Sequence, residues 1–248
     1  MIHFEKELIL AKEAAIAAGK ILLSDKKHLN HSIYSSDKDI KLKADIKAED
    51  LIKNILNTNS KFPILAEESG KSSNNLGEIF WVVDPLDGTA NYSRNISLCC
   101  VSIALIQNLK PVLGVIYDFN NNDLYEGSIN SKAILNEREI CVSDVLFPKD
   151  GILITGLPND TDYSDDALME MVKSFQKWRK VRMIGSAALA AVYVASGKAD
   201  LYKEKRTYLW DVAAGAAIVE AAGGCVTMQN HNNLNQVDVF FSNSKIIE

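Results

Sequence analysis

The spacing of apolar and polar positions divides the first part of the chain into helices and strands. Apolar side chains recur at helical spacing over residues 4–23 and predict a long amphipathic helix. A second helix is predicted over residues 45–56, and the polar, aperiodic residues 24–43 between them predict an exposed loop. Short apolar runs from residue 62 to residue 142 predict strands, and those between residues 99 and 127 predict an antiparallel meander.

After residue 150 the pattern changes to strands that alternate with helices. Strands are predicted over residues 151–155, 181–184, 199–203, 225–228 and 237–241, and helices over residues 167–178, 187–195 and 210–222. A meander followed by this alternation predicts a mixed α+β and α/β fold. Composition changes little at the midpoint. We therefore expect one compact unit of two tightly packed halves, about residues 1–145 and 146–248.

Composition narrows the class of protein. Of 248 residues, 47% are hydrophobic and 24% are charged, as in a soluble globular protein. The net charge of −5 argues against a nucleic-acid-binding surface. The first residues carry acids and lack the apolar core of a signal peptide, and no apolar run is long enough to span a membrane, so we expect a cytoplasmic protein. Four cysteines without a C-x-x-C pair favour free thiols over a disulfide framework or a zinc site.

Two acids close an apolar strand near the middle of the first half. The run Ile79–Val83 reads as a buried strand, and Asp84 and Asp87 follow it, separated by Pro85 and Leu86. Carboxylates this close repel each other unless a positive group lies between them. The Gly-Thr pair that follows can direct backbone N–H groups toward an anion. A divalent metal facing a phosphate satisfies both halves of this pattern.

Further acids occur at Glu67-Glu68, after a short strand, and at Asp211, where a helix starts. Oxygen ligands without histidine select Mg²⁺ over zinc. Each feature also has a purely structural interpretation. Asp211 is at a capping position, Glu67-Glu68 suits a solvated loop, and residues 84–88 have the composition of a surface turn. The residue pattern alone leaves these alternatives open.

Two longer motifs resemble the signatures of the inositol monophosphatase family of Mg²⁺-dependent, lithium-sensitive phosphatases. Residues 84–92 read Asp-Pro-Leu-Asp-Gly-Thr-Ala-Asn-Tyr and match the pattern D-P-[LI]-D-G-T-x-N-[FY]. Residues 210–215 read Trp-Asp-Val-Ala-Ala-Gly and match W-D-x-A-A-G. The resemblance covers essentially the whole chain, and the two signatures in this order are highly specific. It implies a layered αβαβα sandwich and a homodimer.

The resemblance also implies the metal ligands, two or three Mg²⁺ ions in all. Glu67, Asp84 and the backbone carbonyl of Leu86 would hold one ion. Asp84, Asp87 and Asp211 would hold a second. A third, looser ion would bind Glu67 and water.

The same resemblance implies catalytic and substrate-binding residues. Asp45 with Thr89 would hydrogen-bond the attacking water, beside Glu67 as a further catalytic residue, and Gly88 with Thr89 would present N–H groups to the phosphate. The implied substrate-binding residues are Asp87, Gly88, Thr89, Gly185, Ser186, Ala187, Glu204 and Asp211.

The chain departs from the family pattern just before Asp45. Members often carry Val-Thr two residues before the stretch that contains this acid, whereas Lys41-Leu42 stand here. The lysine usually found in the preceding loop has three candidate matches, Lys38, Lys41 and Lys43. These differences bear on substrate fit and loop closure more than on the metal site.

Two features favour a small polyol or sugar monophosphate, similar to an inositol monophosphate, as substrate. Residues 90–93, Ala-Asn-Tyr-Ser, follow the Gly-Thr pair as in inositol-type enzymes, whereas nucleotidase relatives more often carry Lys-Glu-Phe. Glu204, seven residues before Asp211, resembles the acid that accepts hydrogen bonds from vicinal hydroxyls, although it also suits a solvated charge in a Lys-Glu-Lys-Arg run.

Other functions remain open at this stage. A 3′(2′),5′-bisphosphate nucleotidase and a fructose-1,6-bisphosphatase belong to the same superfamily. Some members of the family act through protein partners, so a partner-binding regulatory role is a further alternative. A nucleic-acid binder has neither a basic stripe nor an aromatic ladder to support it.

Overall fold

The computed structural model describes residues 4–35, 40–157, 161–230 and 235–246. Its described helices are α1 (Glu5–Ser24), α2 (Lys26–Leu29), α3 (Lys43–Asn59), α4 (Thr89–Ser93), α5 (Asp165–Phe175), α6 (Ala187–Ala195) and α7 (Leu209–Ala221). Its described strands are β1 (Ser32–Ser35), β2 (Ile40–Leu42), β3 (Ile64–Ala66), β4 (Gly70–Lys71), β5 (Ile79–Asp87), β6 (Cys100–Gln107), β7 (Lys110–Asp118), β8 (Asp123–Ser128), β9 (Ser131–Leu135), β10 (Arg138–Glu139), β11 (Ile152–Thr155), β12 (Lys180–Arg182), β13 (Leu201–Tyr208), β14 (Cys225–Asn230) and β15 (Gln236–Ser242).

The described strands form two large sheets and one small hairpin. The first sheet has the order β10-β9-β8-β7-β6-β5-β3-β4, and its central strands form the antiparallel meander that the sequence predicts. The second sheet has the order β12-β11-β13-β15-β14. In the second sheet β11 runs parallel to both β12 and β13, so the carboxyl ends of these strands lie at one edge.

Helices and sheets alternate in layers. Helices α1 and α3 pack together on one face of the first sheet, and α7 packs on its other face. Helices α6 and α7 also contact strands of the second sheet, so they lie between the two sheets. Phe175, at the end of α5, packs against a third buried cluster that contains Leu153 of β11 and Leu201 of β13, separate from the core between the sheets. The expected αβαβα sandwich is confirmed.

Small residues explain how the middle layer is so compact. Helix α6 has the sequence AALAAVYVA, and α7 is equally rich in alanine. A Cβ on Gly114 of β7 would lie 2.1 Å from the carbonyl oxygen of Ala214, so strand and helix are in backbone contact there. Apolar side chains from both sheets, such as Val82 and Phe241, meet around these helices in one buried core.

The prediction that residues 24–43 form a loop is wrong for most of the stretch, although β1 is exposed as predicted. The described residues there form α2 and the hairpin of β1 with β2, and Leu29 and Leu42 are buried. Each of these elements is four residues or shorter, so no periodic pattern arises. Leu29 is the buried residue of α2 and Leu42 that of β2, whereas β1 is exposed along its length. The hairpin leads directly into α3, which begins two residues before the predicted position.

The helices, the cysteines and strand β13 can be compared with the predictions from the sequence. None of the described helices is both long enough and apolar enough to cross a bilayer. Cys99 and Cys100 are buried thiols, and Cys141 and Cys225 are exposed thiols. Strand β13 continues to Tyr208, five residues beyond its predicted end, because an irregularity in its pairing with β15 interrupts the apolar pattern.

Candidate active site

An irregularity at the end of β5 brings its two acids to the same part of the molecule. In a regular strand, residues three apart point to opposite faces. The pairing of β5 with β6 shifts register between Asp84 and Asp87, so both side chains can lie on the same side of the sheet. The backbone N–H of Leu86 donates to Asp84 Oδ1 at 2.9 Å. Both carboxyl groups are buried.

Glu67 and Asp211 complete a cluster of acids around Asp84 and Asp87. The Glu67 and Asp84 carboxyl groups are in hydrogen-bonding contact. Burial, followed by the charge of Asp211, raises the pKa of Glu67, and burial, followed by the charge of Glu67, raises the pKa of Asp84. Burial also raises the pKa of Asp87. Burial and the charge of Asp87 raise the pKa of Asp211 to about 7. None of the ion pairs in the described part of the chain involves these four acids.

Asp45 and Thr89 are joined beside this cluster. Asp45 lies in the first turn of α3, where Leu42 N donates to its Oδ2 at 2.7 Å. Thr89 Oγ1 lies 2.9 Å from Asp45 Oδ1 and also 2.9 Å from the carbonyl oxygen of Leu86. The single Thr89 proton can satisfy one of these acceptors at a time. Burial raises the pKa of Asp45 to about 6, opposed by these hydrogen bonds.

Gly88 makes the turn from β5 into α4 possible. Its φ of 89° is in the left-handed region. A Cβ there would lie 2.7 Å from the carbonyl oxygen of Leu98. Glycine at this position therefore allows Thr89 to start α4 directly behind the acids of β5.

Donors from the start of α6 hold Asp87. Ser186 Oγ donates to Asp87 Oδ2, and Ala188 N donates to the same oxygen at 2.9 Å. Ala187 N reaches Oδ1 at 3.3 Å, and the Cys100 thiol lies 3.7 Å from Oδ2. Ser186 Oγ also accepts from Leu189 N at 3.2 Å and so caps α6. The Ser186 hydroxyl thus links the helix to the acid.

Asp211 is held in a similar way at the start of α7. Its Oδ2 accepts from Thr207 Oγ1 at 2.8 Å and from Tyr208 N at 3.0 Å. The capping role considered from the sequence is therefore real, and it uses one carboxylate oxygen. Asp211 Oδ1 accepts no hydrogen bond from the described residues, so capping and ion binding are compatible in one side chain.

The donor set fits Mg²⁺ by its chemistry. Carboxylate and carbonyl oxygens are the ligands that this ion prefers. Four neighbouring acids, two of them buried and two half-buried, form no ion pair with a described side chain and so favour a bound cation strongly. Within the described ranges, no three His, Cys, Asp or Glu side chains already converge as a ligand set. The fit rests on the oxygen donors and their burial.

A cleft of about 200 Å³ opens next to the acids. Its walls come from the end of β5, the end of β11, the turn before α6, and β13 with the start of α7. The lining residues are Asp87, Ile154, Thr155, Gly156, Leu157, Ile184, Gly185, Ser186, Ala187, Ala190, Tyr202, Glu204, Thr207 and Asp211. The predicted substrate-binding residues are thus brought together, except that Gly88 and Thr89 lie at the start of α4 and are not among the lining residues.

Glu204 is a half-buried carboxylate in the cleft wall. The Tyr202 hydroxyl lies 3.1 Å from Glu204 Oε2. Burial raises the pKa of Glu204 to about 8, and the charges of Asp211 and Asp87 add to the rise. The register shift between Glu204 and Thr207 lets both residues line the cleft although they are three apart. The solvated alternative for Glu204 does not describe this position.

Several cleft residues were not singled out from the sequence. Thr155, Gly156 and Leu157 follow β11, and the edge where parallel strands end is a common binding position. Outside the cleft lining, Asn91 Nδ2 donates to the carbonyls of Leu98 and Ile184 at 2.7 and 2.8 Å and so supports the turn at Gly185. The parallel pairing of β11 was the signal that could have identified the first group, but no local pattern reveals it.

The candidate loop lysines differ in position. Lys41 Nζ lies 3.0 Å from Glu68 Oε2, next to Glu67. Lys43 is exposed at the start of α3. Lys38 lies outside the described residues. Of the two described candidates, Lys41 is the one that contacts the acidic segment.

Comparisons with known proteins agree with this geometry. A model of the inositol monophosphatase family matches residues 4–247. The chain is 39% identical to a Xylella fastidiosa protein named Nus factor SuhB, over 86% of this chain and 78% of that protein. It is 34% identical to an inositol-1-monophosphatase of Synechocystis, over 89% of this chain and 78% of the relative.

Solved structures give the same result. An inositol monophosphatase from Anabaena (Nostoc) superposes with a TM-score of 0.84 at 33% identity, covering 98% of this chain and 92% of that one. The extragenic suppressor protein suhB of Bartonella henselae superposes with a TM-score of 0.86 at 32% identity, covering 97% and 95% of the two chains.

Proposed function

The chain belongs to the inositol monophosphatase family, and on that premise we propose that it is a Mg²⁺-dependent phosphomonoesterase of small polyol or sugar monophosphates, such as an inositol monophosphate. One observation carries the proposal. The neighbouring acids Glu67, Asp84, Asp87 and Asp211 lie at or beside a cleft that Glu204 also lines. A cation-binding end and a hydroxyl-binding end in one cleft suit a phosphorylated polyol.

The residues that would hold the metal are those at the ends of β3 and β5 and at the start of α7. Glu67, Asp84 and the Leu86 carbonyl would bind one ion. Asp84, Asp87 and Asp211 would bind a second, and a third would bind Glu67 and water. When bound, Mg²⁺ would lower the pKa of water and stabilise negative charge on the phosphoryl group.

The chain's own residues supply positioning. The Asp45 carboxylate and the Thr89 hydroxyl form a fixed pair that can orient a water molecule, since Leu42 N and the turn at Gly88 hold them in place. The N–H groups of Gly88 and Thr89 lie at the start of a helix, where they can donate to phosphate oxygens. Glu204 can accept hydrogen bonds from substrate hydroxyls, held by the Tyr202 hydroxyl.

The cleft favours a monophosphate over the superfamily's bisphosphate substrates. Its described lining contains Asp87, Glu204 and Asp211 but no lysine or arginine. A second phosphate would meet acids and no basic partner there. The volume of about 200 Å³ also suits a single small ring, since pockets for drug-sized ligands span roughly 300–1,000 Å³. A bisphosphate nucleotidase and a fructose-1,6-bisphosphatase are the alternatives that this composition disfavours.

A phosphate-release screen tests the proposal. It covers inositol, fructose, glycerol, nucleotide and histidinol phosphates, each with Mg²⁺, with EDTA, and with Mg²⁺ plus Li⁺. We expect Mg²⁺-dependent release that is fastest with a polyol or sugar monophosphate and is inhibited by submillimolar to millimolar Li⁺. Absence of phosphate release from every compound would contradict the proposal.

Asp84→Asn is the variant that tests the metal assignment. It keeps the shape of the side chain but removes a charge at the position shared by both proposed ions. We expect activity to fall by at least roughly a thousandfold, as for loss of a major electrostatic group, with the fold intact by circular dichroism. Asp50→Asn removes the same charge from the exposed face of α3 and should leave activity unchanged. Full activity of Asp84→Asn would refute the assignment.

A partner-binding role is the second candidate function. It is favoured by the relative named Nus factor SuhB, which is 39% identical to this chain. Capture of a stoichiometric partner by both the native protein and Asp84→Asn, together with no turnover in the screen, would make partner binding the preferred function.

We further propose that the protein is a homodimer, as the family resemblance implies. Light scattering after size-exclusion chromatography measures its mass directly.

A further inference from the structure

Gly156 lies against the carboxylate of Glu204 in the cleft wall. A Cβ built on Gly156 would be 2.4 Å from Glu204 Oε2, 2.7 Å from Cδ and 2.8 Å from Oε1. Separations below 3.0 Å essentially never occur at a real Cβ. The carboxylate can therefore occupy its observed place only because residue 156 has no side chain.

The glycine is not required by the backbone. Gly156 is absent from the residues with left-handed φ, whereas Gly185, which also lines the cleft, has φ of 70°. An alanine at position 156 would thus be compatible with the local chain path. The need for glycine comes from Glu204, 48 residues further along the chain, which β13 brings alongside β11.

We propose that Gly156 is a specificity-determining residue, which sets the depth of the cleft by letting Glu204 lie flat against the end of β11. The proposal rests on the proposed function, because it takes Glu204 to be the acceptor for substrate hydroxyls. The Tyr202 hydroxyl, 3.1 Å from Oε2, holds the carboxylate from a second direction. A methyl group at 156 pushes the carboxylate off the wall, away from Tyr202 and into the space of about 200 Å³ that the substrate uses.

Displacement of the Glu204 carboxylate should affect only the part of the substrate that carries hydroxyl groups. The phosphate end of the cleft, at Asp87 and Asp211, is formed by other elements and is held by Ser186 and Thr207. Displacement of Glu204 should therefore weaken binding of a polyol ring. It should not affect a phosphate ester that has no hydroxyl groups on its leaving group.

The test compares Gly156→Ala with the native protein on two substrates, D-myo-inositol 1-phosphate and p-nitrophenyl phosphate. We expect KM for the inositol phosphate to rise roughly three- to tenfold, the equivalent of one hydrogen bond, with kcat within twofold. The kcat/KM for p-nitrophenyl phosphate should stay within about twofold of the native value. Equal losses on both substrates, or no change on either, would overturn the proposal.

Two further variants separate positioning from general damage. In a Glu204→Ala background, Gly156→Ala should have no additional effect on KM, because the carboxylate it displaces is gone. In the double variant Gly156→Ala with Glu204→Asp, the shorter side chain makes room for the methyl group, and KM should fall below that of Gly156→Ala alone. Additive effects in the first case, no recovery in the second, or a Gly156→Ala protein that does not fold would each argue against the proposal.

The outcomes also distinguish the two proposals. If the native protein releases no phosphate from either compound, the proposed function fails, and the role of Gly156 fails with it. If the native protein hydrolyses both and Gly156→Ala behaves like it, the function stands and the inference about Gly156 is wrong.

Discussion

Single side chains in the site are held by donors from distant parts of the chain. Asp87 is the main example, since its Oδ2 accepts from Ser186 Oγ and Ala188 N, about a hundred residues away, and contacts the Cys100 thiol. Partners of this kind orient a ligand and hold its charge in place. The family resemblance placed Ser186 among the substrate-binding residues. Its hydroxyl proton is given to Asp87, which indicates a role in positioning that acid.

Removing the Ser186 hydroxyl should weaken metal binding. We expect Ser186→Ala to raise the Mg²⁺ concentration for half-maximal activity roughly tenfold, in the range seen for lost partners of metal ligands. It should also cost about 1 kcal/mol of stability through the lost cap of α6. Ser186→Thr keeps the hydroxyl and should retain most of both properties. Titration of Mg²⁺-dependent thermal stabilisation gives a readout that is independent of turnover.

The matched control lies on the same helix. Ser196 follows α6, and its hydroxyl donates to the carbonyl of Val192 at 2.7 Å, at the helix end opposite to Asp87. Ser196→Ala should leave the Mg²⁺ requirement unchanged. If both alanine variants shifted the requirement equally, the link between Ser186 and Asp87 would not be the cause.

At the scale of secondary-structure elements, irregularities in the strands position the residues of the site. Register shifts in β5 and β13 each let two residues three apart serve one site, Asp84 with Asp87 and Glu204 with Thr207. Regular strands would turn one member of each pair away. The junction of β5 with α4 is equally specialised, because Gly88 is both left-handed and in contact with the Leu98 carbonyl.

Substitution of Gly88 should damage both stability and activity. Gly88→Ala combines a left-handed φ of 89° with a Cβ 2.7 Å from a backbone oxygen, so we expect a loss of roughly 3 kcal/mol or more. Thr89 should also move away from Asp45, and activity should fall with it. Gly77→Ala is the control, since Gly77 has φ of 67° but open space around it. It should lose only about 1 kcal/mol. Denaturant unfolding compares the two, and equal losses would contradict the contact argument.

At the scale of the whole molecule, the acid cluster joins the first sheet to the layer of helices between the two sheets. Asp84 and Asp87 come from the first sheet, and Asp211 starts α7 in the layer between the sheets. Cations held among these acids would relieve repulsion between groups that are buried only in the folded state. The division into halves near residue 145, expected from the sequence, remains a prediction.

Magnesium should therefore stabilise the protein against heat. At a concentration about a hundredfold above its dissociation constant, binding contributes roughly 2.7 kcal/mol, or about 5–10 °C in Tm for a chain of this size. Asp84→Asn should lose most of this increase. In EDTA the same variant should melt above the native protein, because burial and three neighbouring acids raise the pKa of Asp84 and make its charge unfavourable.

Thermal scans in EDTA and in Mg²⁺ at matched ionic strength measure both effects. A native protein whose Tm did not respond to Mg²⁺ would contradict the assignment of these acids to an ion. An Asp84→Asn protein that melted lower than the native protein in EDTA would show that the Asp84 carboxylate is not a source of repulsion.

Local sequence alone determined much of this protein. The helix over Ala187–Ala195, the meander, the acids at the end of β5 and the helix that begins near Asp211 could all be predicted, because period, caps and strand ends depend on neighbours within a few residues. The roles of those acids came from resemblance to a family and not from the pattern itself. Composition and spacing left a surface turn and a helix cap open as alternatives.

The tertiary structure determined which residues of the site contact each other. That Ser186 reaches Asp87, that Asn91 supports the turn at Gly185, and that Gly156 makes room for Glu204 depend on sheet order and on register shifts. The physical reason is that a local pattern reports burial and direction, whereas contacts between residues about 50 to 100 apart depend on which strands pair and in which register. The acids can be identified from the sequence, but the cleft next to them forms only in the folded protein.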